Sequence, residues 1–305
     1  MVNNLNKSPL FNVSLFSLFW AIQIFTSKLA YTAGAKLVPF VVQTFAMTLV
    51  VLAIYVLPRT YKEIKSLSPR ILLGLLIAGG IHMGIGSVLN YMGIALTSAI
   101  NAGALVQFGT GTTPILAWFI LKEKFTLAKT VSIIIILLGV FLLVTNGQLV
   151  IPHIGDLLIL LSCVAWSLGN VLVKRILKST SVSEDIAALM RPATGLPLLI
   201  FFILLTPLYP APVKAIFSEN YFDFHYLIFV ILNGILTAMC IICLIKTLKV
   251  ASASYMAMMS ATTPILVTVL AVIFLKEKLY LVQIIGITLV IASGTLTQYL
   301  RTDKY

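Results

Sequence analysis

Apolar positions along this chain gather in runs of about 20 residues, each closed by a short polar stretch, and the rhythm repeats from end to end. About 20 apolar residues in a helix cross the hydrocarbon of a bilayer, so each run predicts a spanning helix. Ten such segments follow, over residues 11–31, 39–57, 71–94, 100–121, 126–145, 154–177, 185–205, 225–245, 252–275 and 279–300. Hardly any chain remains between them. No loop is long enough to form a soluble domain, so the function belongs to the bundle itself.

Composition agrees. Of 305 residues 60% are hydrophobic and 10% charged, with a mean hydropathy of +1.08, where soluble domains carry about 25% charged residues. The fold class is therefore an all-α integral membrane protein whose surroundings are a lipid bilayer. A net charge of +12 would suit nucleic acid only if the basic residues formed a stripe with interleaved aromatics, and they do not. They sit at span ends, as in Arg59, Lys62, Lys65 and Arg70, then Lys122 and Lys124, then Lys174, Arg175 and Lys178. With a cytoplasmic N-terminus these all fall inside, and only Lys36, Lys214, Lys276 and Lys278 fall outside. Both termini are expected in the cytoplasm. Ala30-Tyr31-Thr32-Ala33 loosely resembles a signal-peptide cleavage site, but the run before it is long for a signal core and has a counterpart in mid-chain. A bacterial plasma membrane is expected, since no targeting extension precedes the first helix.

The counterpart belongs to a repeat. Thr112-Thr113-Pro114-Ile115-Leu116 returns as Thr262-Thr263-Pro264-Ile265-Leu266, and the Leu-Lys-Glu-Lys of 121–124 returns at 275–278. Trp20 is followed by Lys28 as Trp166 is by Lys174. Three landmarks in one order predict two homologous five-helix repeats, 8–148 and 150–300, joined near Asn146-Gly147-Gln148 and Pro152. Five is odd, so the second repeat enters the membrane from the opposite side. Ten transmembrane helices as two inverted five-helix repeats are a hallmark of secondary transporters.

These residues carry a family resemblance over essentially the whole chain. Ten spans in two halves, a Trp and a downstream Lys in the first helix of each half, and a proline-containing fourth helix ending in Leu-Lys-Glu-Lys are similar to the EamA family of the drug/metabolite transporter superfamily. The resemblance implies a small-molecule carrier; relatives export amino acids and other metabolites, and some take up small nutrients. The family often has a basic residue in the second helix of each half. Here Arg191 fills that place in the second half and nothing does around Gln43 to Phe45 in the first. The stretch from proline to Leu-Lys-Glu-Lys is also four residues longer in the second half, about one helical turn.

Candidate chemistry lies at membrane depth, where polar groups are costly unless they face a partner or a wet cavity. Gln23, His82, Gln107, Asn170 and Asn233 fall near mid-span. Gln23 and Asn170 follow Trp20 and Trp166 by about one turn, which sets an aromatic wall beside an amide, a common grip for a small polar ligand. Pro114 and Pro264 predict kinks at corresponding places in the two halves, candidates for gating. Gly80 and Gly84 are read as a close-packing pair. Lys28 and Arg191 are the deepest basic residues, and no carboxylate lies in mid-span, Asp156 being at a span edge. Positive groups without acidic partners suit a substrate with an anionic group. The substrate-binding set is Trp20, Gln23, His82, Gln107, Trp166, Asn170, Arg191 and Tyr255. Each polar member also has a plain reading as an interhelical hydrogen bond. His82 titrates near neutrality, so protons, or a counter-substrate, are the candidate coupling partners.

Enzyme chemistry is not indicated. Cys240-x-x-Cys243 has no second pair and Cys163 no histidine neighbour, so neither a metal nor a redox cofactor is expected. There is no phosphate-binding glycine loop for ATP. Export of an amino acid or related carboxylate-bearing compound by alternating access is the leading expectation. Uptake of a nutrient on the same fold, and a non-transporting membrane scaffold or receptor, are the alternatives.

Overall fold

The computed structural model describes residues 9–124, 126–145, 153–208, 220, 221, 223, 225–260 and 263–299. The joint at Asn146 to Pro152, Lys214 and Thr262 lie outside the described residues. All regular structure among the described residues is helical: α1 (Pro9–Thr32), α2 (Leu37–Ser66), α3 (Pro69–Leu96), α4 (Ala99–Leu121), α5 (Leu127–Thr145), α6 (Ile154–Ser179), α7 (Glu184–Leu204), α8 (Leu227–Val250), α9 (Ala253–Phe274) and α10 (Leu281–Tyr299). Eight are long and apolar enough to cross a membrane, and α5 and α10 add shorter apolar runs, Thr130–Gly139 and Leu281–Ser293.

Burial is inverted relative to a water-soluble protein. Ile54, Ile228 and Phe274 are 72%, 68% and 65% exposed, whereas Arg191, Gln107 and Asn233 have no exposed surface. Lipid tails solvate the outer apolar side chains, so the interior is where polar groups must find partners. The chain is a multi-pass integral membrane protein.

Two boundaries differ from the apolar pattern. The second run ends at Leu57, yet α2 continues through Pro58 to Ser66. Hydrophobicity stops at the membrane surface, but helix propensity does not: Tyr61, Lys62, Glu63 and Lys65 extend the helix beyond it until the Ser68-Pro69 start signal of α3. There the Ser68 hydroxyl accepts from Ile71 N and Pro69 takes the first-turn position. Within α3, residues Gly80–Ser87 form a π-helix, which no spacing of apolar residues announces. Such wider turns cluster at functional sites.

α3 packs against both α6 and α7, α1 against α8, α5 against α10, and α4 against α9. The α4 and α9 pair is antiparallel, with the start of α4 on the later part of α9 and the end of α4 on the start of α9. Two glycines let the backbones meet around the π-helix. A Cβ on Gly169 of α6 would lie 2.6 Å from His82 Cβ and 3.0 Å from Ala78 O, and one on Gly79 would lie 2.7 Å from Met190 O and 3.1 Å from Arg191 Cα. The expected Gly80 and Gly84 pair is only half involved, since Gly80 has nothing nearer than 3.7 Å while Gly84 faces Leu198. Gly79 and Gly169 make these backbone contacts because Gly79 lies on the face of α3 that meets α7 at Met190 and Arg191, and Gly169 on the face of α6 that meets α3 at Ala78 and His82.

Gly169→Ala and Gly79→Ala should each cost about 1–3 kcal/mol through overpacking against backbone, and Gly80→Ala should cost little. Thermal unfolding of the purified variants in one detergent checks this; equal melting temperatures across the three would contradict the packing.

Candidate functional site

Six helices each present one stripe to a common centre. α4 contributes Val106, Gly109, Thr110 and Thr113; α6 contributes Cys163, Trp166, Ser167 and Asn170; α9 contributes Ala253, Met256, Ala257 and Ser260. Each stripe is spaced i, i+3, i+4, i+7, the geometry of one helix face. α1 adds Phe16, Trp20 and Gln23, α3 adds His82, Met83, Ser87, Asn90 and Tyr91, and α8 adds Thr237, Cys240, Ile241, Leu244 and Leu248, with Arg191 reaching in from α7. The cavity they enclose is about 110 Å³, several times the ~10–15 Å³ that one water needs.

Arg191 has no exposed surface. Its Nη1 donates to His82 Nε2 at 2.7 Å and its Nη2 to Asn170 Oδ1 at 2.8 Å. A guanidinium keeps its charge and has no acceptor, so His82 Nε2 must be the bare nitrogen and the imidazole is neutral, with its proton on Nδ1. Among the described residues, that Nδ1, Arg191 Nε and Asn90 Nδ2 have no hydrogen-bond partner. No carboxylate lies among the lining residues. A charge taken out of water and left unpaired is costly, and its field is strong there: at 4 Å an opposite charge gains about 4 kcal/mol at an effective dielectric of 20, against about 1 in water.

Aromatic rings continue the wall from His82. Trp20 meets Trp166 edge-on with centroids 5.4 Å apart, Phe16 tilts against Trp20 at 5.0 Å, and Trp166 stacks on His82 at 5.9 Å and 27°. Trp166 Nε1 donates to Ser87 Oγ at 3.1 Å, which fixes the ring. Gln23 Nε2 donates to Ser27 Oγ at 3.1 Å, and Ser27 Oγ to Asn233 Oδ1 at 2.7 Å. Thus Asn233 and Ser27 tie α1 to α8 as interhelical bonds do, while Gln23 stands at the cavity end of that chain.

Six of the candidates named from sequence converge here: Trp20, Gln23, His82, Trp166, Asn170 and Arg191. Gln107 and Tyr255 are buried but are not in the wall. Tyr255 is off the face that carries Ala253, Met256, Ala257 and Ser260. Gln107 has a structural task. Pro264 has no N–H, so the carbonyl of Ser260, four residues earlier, loses its helical partner; Gln107 Nε2 donates to that carbonyl at 3.2 Å. α4 is itself broken there by a 3₁₀ turn, Val106–Phe108, so the two interrupted helices are joined at their breaks. Pro114 and Pro264 lie behind the wall, and neither lines it. Thr113, beside Pro114, shares a hydrogen bond with Ser167 at 2.8 Å. Asn90, Ser87, Thr110, Thr113, Ser167 and Thr237 were not singled out from sequence, although Ser167 lies three residues before Asn170, on the same helix face.

Known proteins bear on this arrangement. The family model of EamA-like transporters matches residues 7–145 and again 153–298. The chain belongs to the EamA-like transporter family. It is 27% identical to an "uncharacterized transporter" of Clostridium kluyveri over 96% of this chain and 93% of that one. It is 32% identical to the "uncharacterized transporter YyaM" of Bacillus subtilis over 30% of this chain and 32% of that one. A crystal structure with 16% sequence identity superposes with a TM-score of 0.66, over 95% of this chain and 99% of that one, and shares the fold. The cavity just described therefore lies in a membrane transporter.

The ends of this EamA-like transporter are pinned by two lysine and glutamate pairs. Lys122 and Lys276 have φ of 57° and 52°, the left-handed turn that closes a helix. The following residue in each case, Glu123 or Glu277, returns its N–H to Ala117 O or Ala271 O at 3.3 Å. The carboxylates do not open the next helix in sequence. Glu277 accepts from Ala99 N at 2.8 Å and Ile100 N at 3.1 Å at the start of α4, and Glu123 accepts from Ala253 N at 3.2 Å and Ser254 Oγ at 2.6 Å at the start of α9. Each glutamate opens a helix of the other half, because antiparallel packing sets the end of α4 against the start of α9 and the reverse. Beside each, a lysine closes a helix: Lys28 Nζ donates to Ile94 O and Thr97 O at the end of α3, and Lys174 Nζ to Leu248 O at 2.7 Å at the end of α8. Lys28 is thus a capping residue outside the cavity wall. Leu248 and Ala253 do line the cavity, so the Glu123 and Lys174 cap is also its floor.

Removing either carboxylate exposes helix N–H groups without an acceptor, at about 1–2 kcal/mol each. Glu123→Ala and Glu277→Ala should therefore lower stability by that amount singly, and additively together, since α4 separates them by about 33 Å. Unfolding measurements on the three variants in one detergent would detect it, and a Glu277→Ala protein as stable as the parent would refute the cap.

Proposed function

We propose that this transporter exports an amino acid or a related carboxylate-bearing compound by alternating access. The observation that carries this reading is the buried Arg191 without a carboxylate partner, set at the wall of a cavity whose unpaired polar atoms are donors. An anionic oxygen is the chemistry such a site lacks, and charge-assisted bonds to a guanidinium are strong. The aromatic surface of Phe16, Trp20 and Trp166 in the same cavity suits an apolar or planar side chain. In this reading residues 8–148 and 150–300 are inverted repeats. The exchange of helix-opening glutamates between them supports that relation, as do the paired interruptions in α4 and α9, since central sites between such repeats are built from discontinuous helices. Basic residues at the Glu123 end favour a cytoplasmic placement of that end and of both termini, in a bacterial plasma membrane.

Thermal-shift measurements on the purified protein test the substrate class, with the twenty amino acids, pyruvate and benzoate, each carboxylate set against its carboxamide. Binding raises the melting temperature by mass action. Carboxylates should stabilise at concentrations about 10–100-fold below their carboxamides, the equivalent of one charge-assisted hydrogen bond. Equal stabilisation by acid and amide would rule out an anion-recognising site.

A further inference from the structure

The geometry points to His82 as a proton site coupled to substrate: as the substrate carboxylate reaches Arg191, His82 takes up one proton on Nε2, so that anion and proton bind together. This rests on the carboxylate reading above. Arg191 is sealed, with no exposed surface, and the groups that hold its Nη atoms are His82 Nε2 and Asn170 Oδ1. Both residues line the cavity. A carboxylate that engages the guanidinium end-on must take over the contacts these two make.

The two covering groups respond differently. Asn170 carries a donor as well as an acceptor on its amide, so rotation offers the incoming oxygen an N–H. His82 presents a bare nitrogen. Facing a carboxylate, it would set two acceptors against each other at hydrogen-bond distance. The ring has little freedom to swing aside, because Trp166 stacks on one face and the Gly169 backbone crosses directly against His82 Cβ. A proton drawn from the buffered solvent, added to the Nε2 lone pair, turns the clash into an N–H donor to the carboxylate. For a monoanionic substrate one anion and one proton enter together and the occupied site carries the same total charge as the empty one, the imidazolium replacing the positive charge that the carboxylate neutralises on Arg191; a zwitterionic amino acid leaves the occupied site one charge more positive. While Arg191 still donates to Nε2, the same proton has no place to go, so the empty carrier does not take it.

The groups around His82 fit this role. From α7 the charged group is Arg191, and from α6 the neighbours are Asn170 and Trp166, with Cys163 the titratable group on the same wall. α8 contributes Cys240 and α3 itself Tyr91. No carboxylate among the lining residues competes for the proton.

Calorimetric titration tests the coupling on the intact protein, using those members of the named panel that bind, at one pH in phosphate and in Tris, which differ in heat of ionisation. One proton taken up per carboxylate bound should appear as a buffer-dependent enthalpy, and Kd should weaken by up to about tenfold per pH unit between pH 6 and 8. His82→Gln keeps an acceptor for Arg191 and cannot titrate. It should bind more weakly, with the same heat in both buffers and no pH slope. Carboxylate binding by the parent protein with no buffer dependence would overturn the coupling, the proton having only moved from Nδ1 to Nε2, and would leave the carboxylate reading standing. Absence of binding by every member of the panel would overturn both.

Discussion

Hydrocarbon offers no water to complete a hydrogen bond, so each backbone group that a helix leaves unpaired must be satisfied from within the bundle. That requirement organises the whole structure. Where α4 and α9 end, Glu123 and Glu277 turn back to supply acceptors for the first N–H groups of the antiparallel partner. Where α3 and α8 end, Lys28 and Lys174 supply donors for the last carbonyls. Where Pro264 deprives Ser260 of its partner in mid-span, Gln107 supplies the missing donor. Each repair uses a side chain from outside the helix it completes; the lysine caps stay within one half, whereas the glutamate caps and the Gln107 bond cross between halves and so also hold the halves together.

The same requirement throws the centre into relief. Arg191 is buried as deeply as any residue in the protein, yet its partners are a neutral imidazole and an amide, neither of which cancels its charge. Structural arginines in hydrocarbon are ordinarily paired with carboxylates or backbone carbonyls. Leaving this one uncompensated makes the folded state less stable and the cavity more attractive to anions. Close backbone crossings at Gly79 and Gly169 and the π-turn of α3 hold His82 and Asn170 over it, which makes the arrangement rigid in the absence of substrate.

Much of this could be read from the chain. Run length reports helix count because the bilayer sets one thickness for all spans, and the pairing of Trp20 with Trp166 marked two residues that meet at 5.4 Å. Gln23, His82, Asn170 and Arg191 stood out because polar side chains at membrane depth are rare. The rest depended on direction and partner. Tyr255 and Met256 are adjacent, and only the helical phase set by Ser252 and Ala253 turns Met256 inward. Gln107 was conspicuous for its polarity, but its partner is a carbonyl freed by a proline about 150 residues away, a relation that exists only in three dimensions. The glutamates of the repeated Leu-Lys-Glu-Lys lie beside the following helix in sequence, whereas antiparallel packing delivers each to a helix of the other half. The π-turn is announced by no spacing of apolar residues, and it lies where α6 and α7 both pack on α3.

The central claim is that Arg191 serves the substrate and not merely the packing of α3, α6 and α7. Uptake of radiolabelled amino acids into proteoliposomes, by parent protein and by Arg191→Gln reconstituted at equal density after matching for folded fraction, tests it most directly. The account expects carboxylate-dependent transport by the parent and at least a tenfold loss in the variant, in keeping with a charge-assisted contact. Equal transport by the two proteins would contradict it.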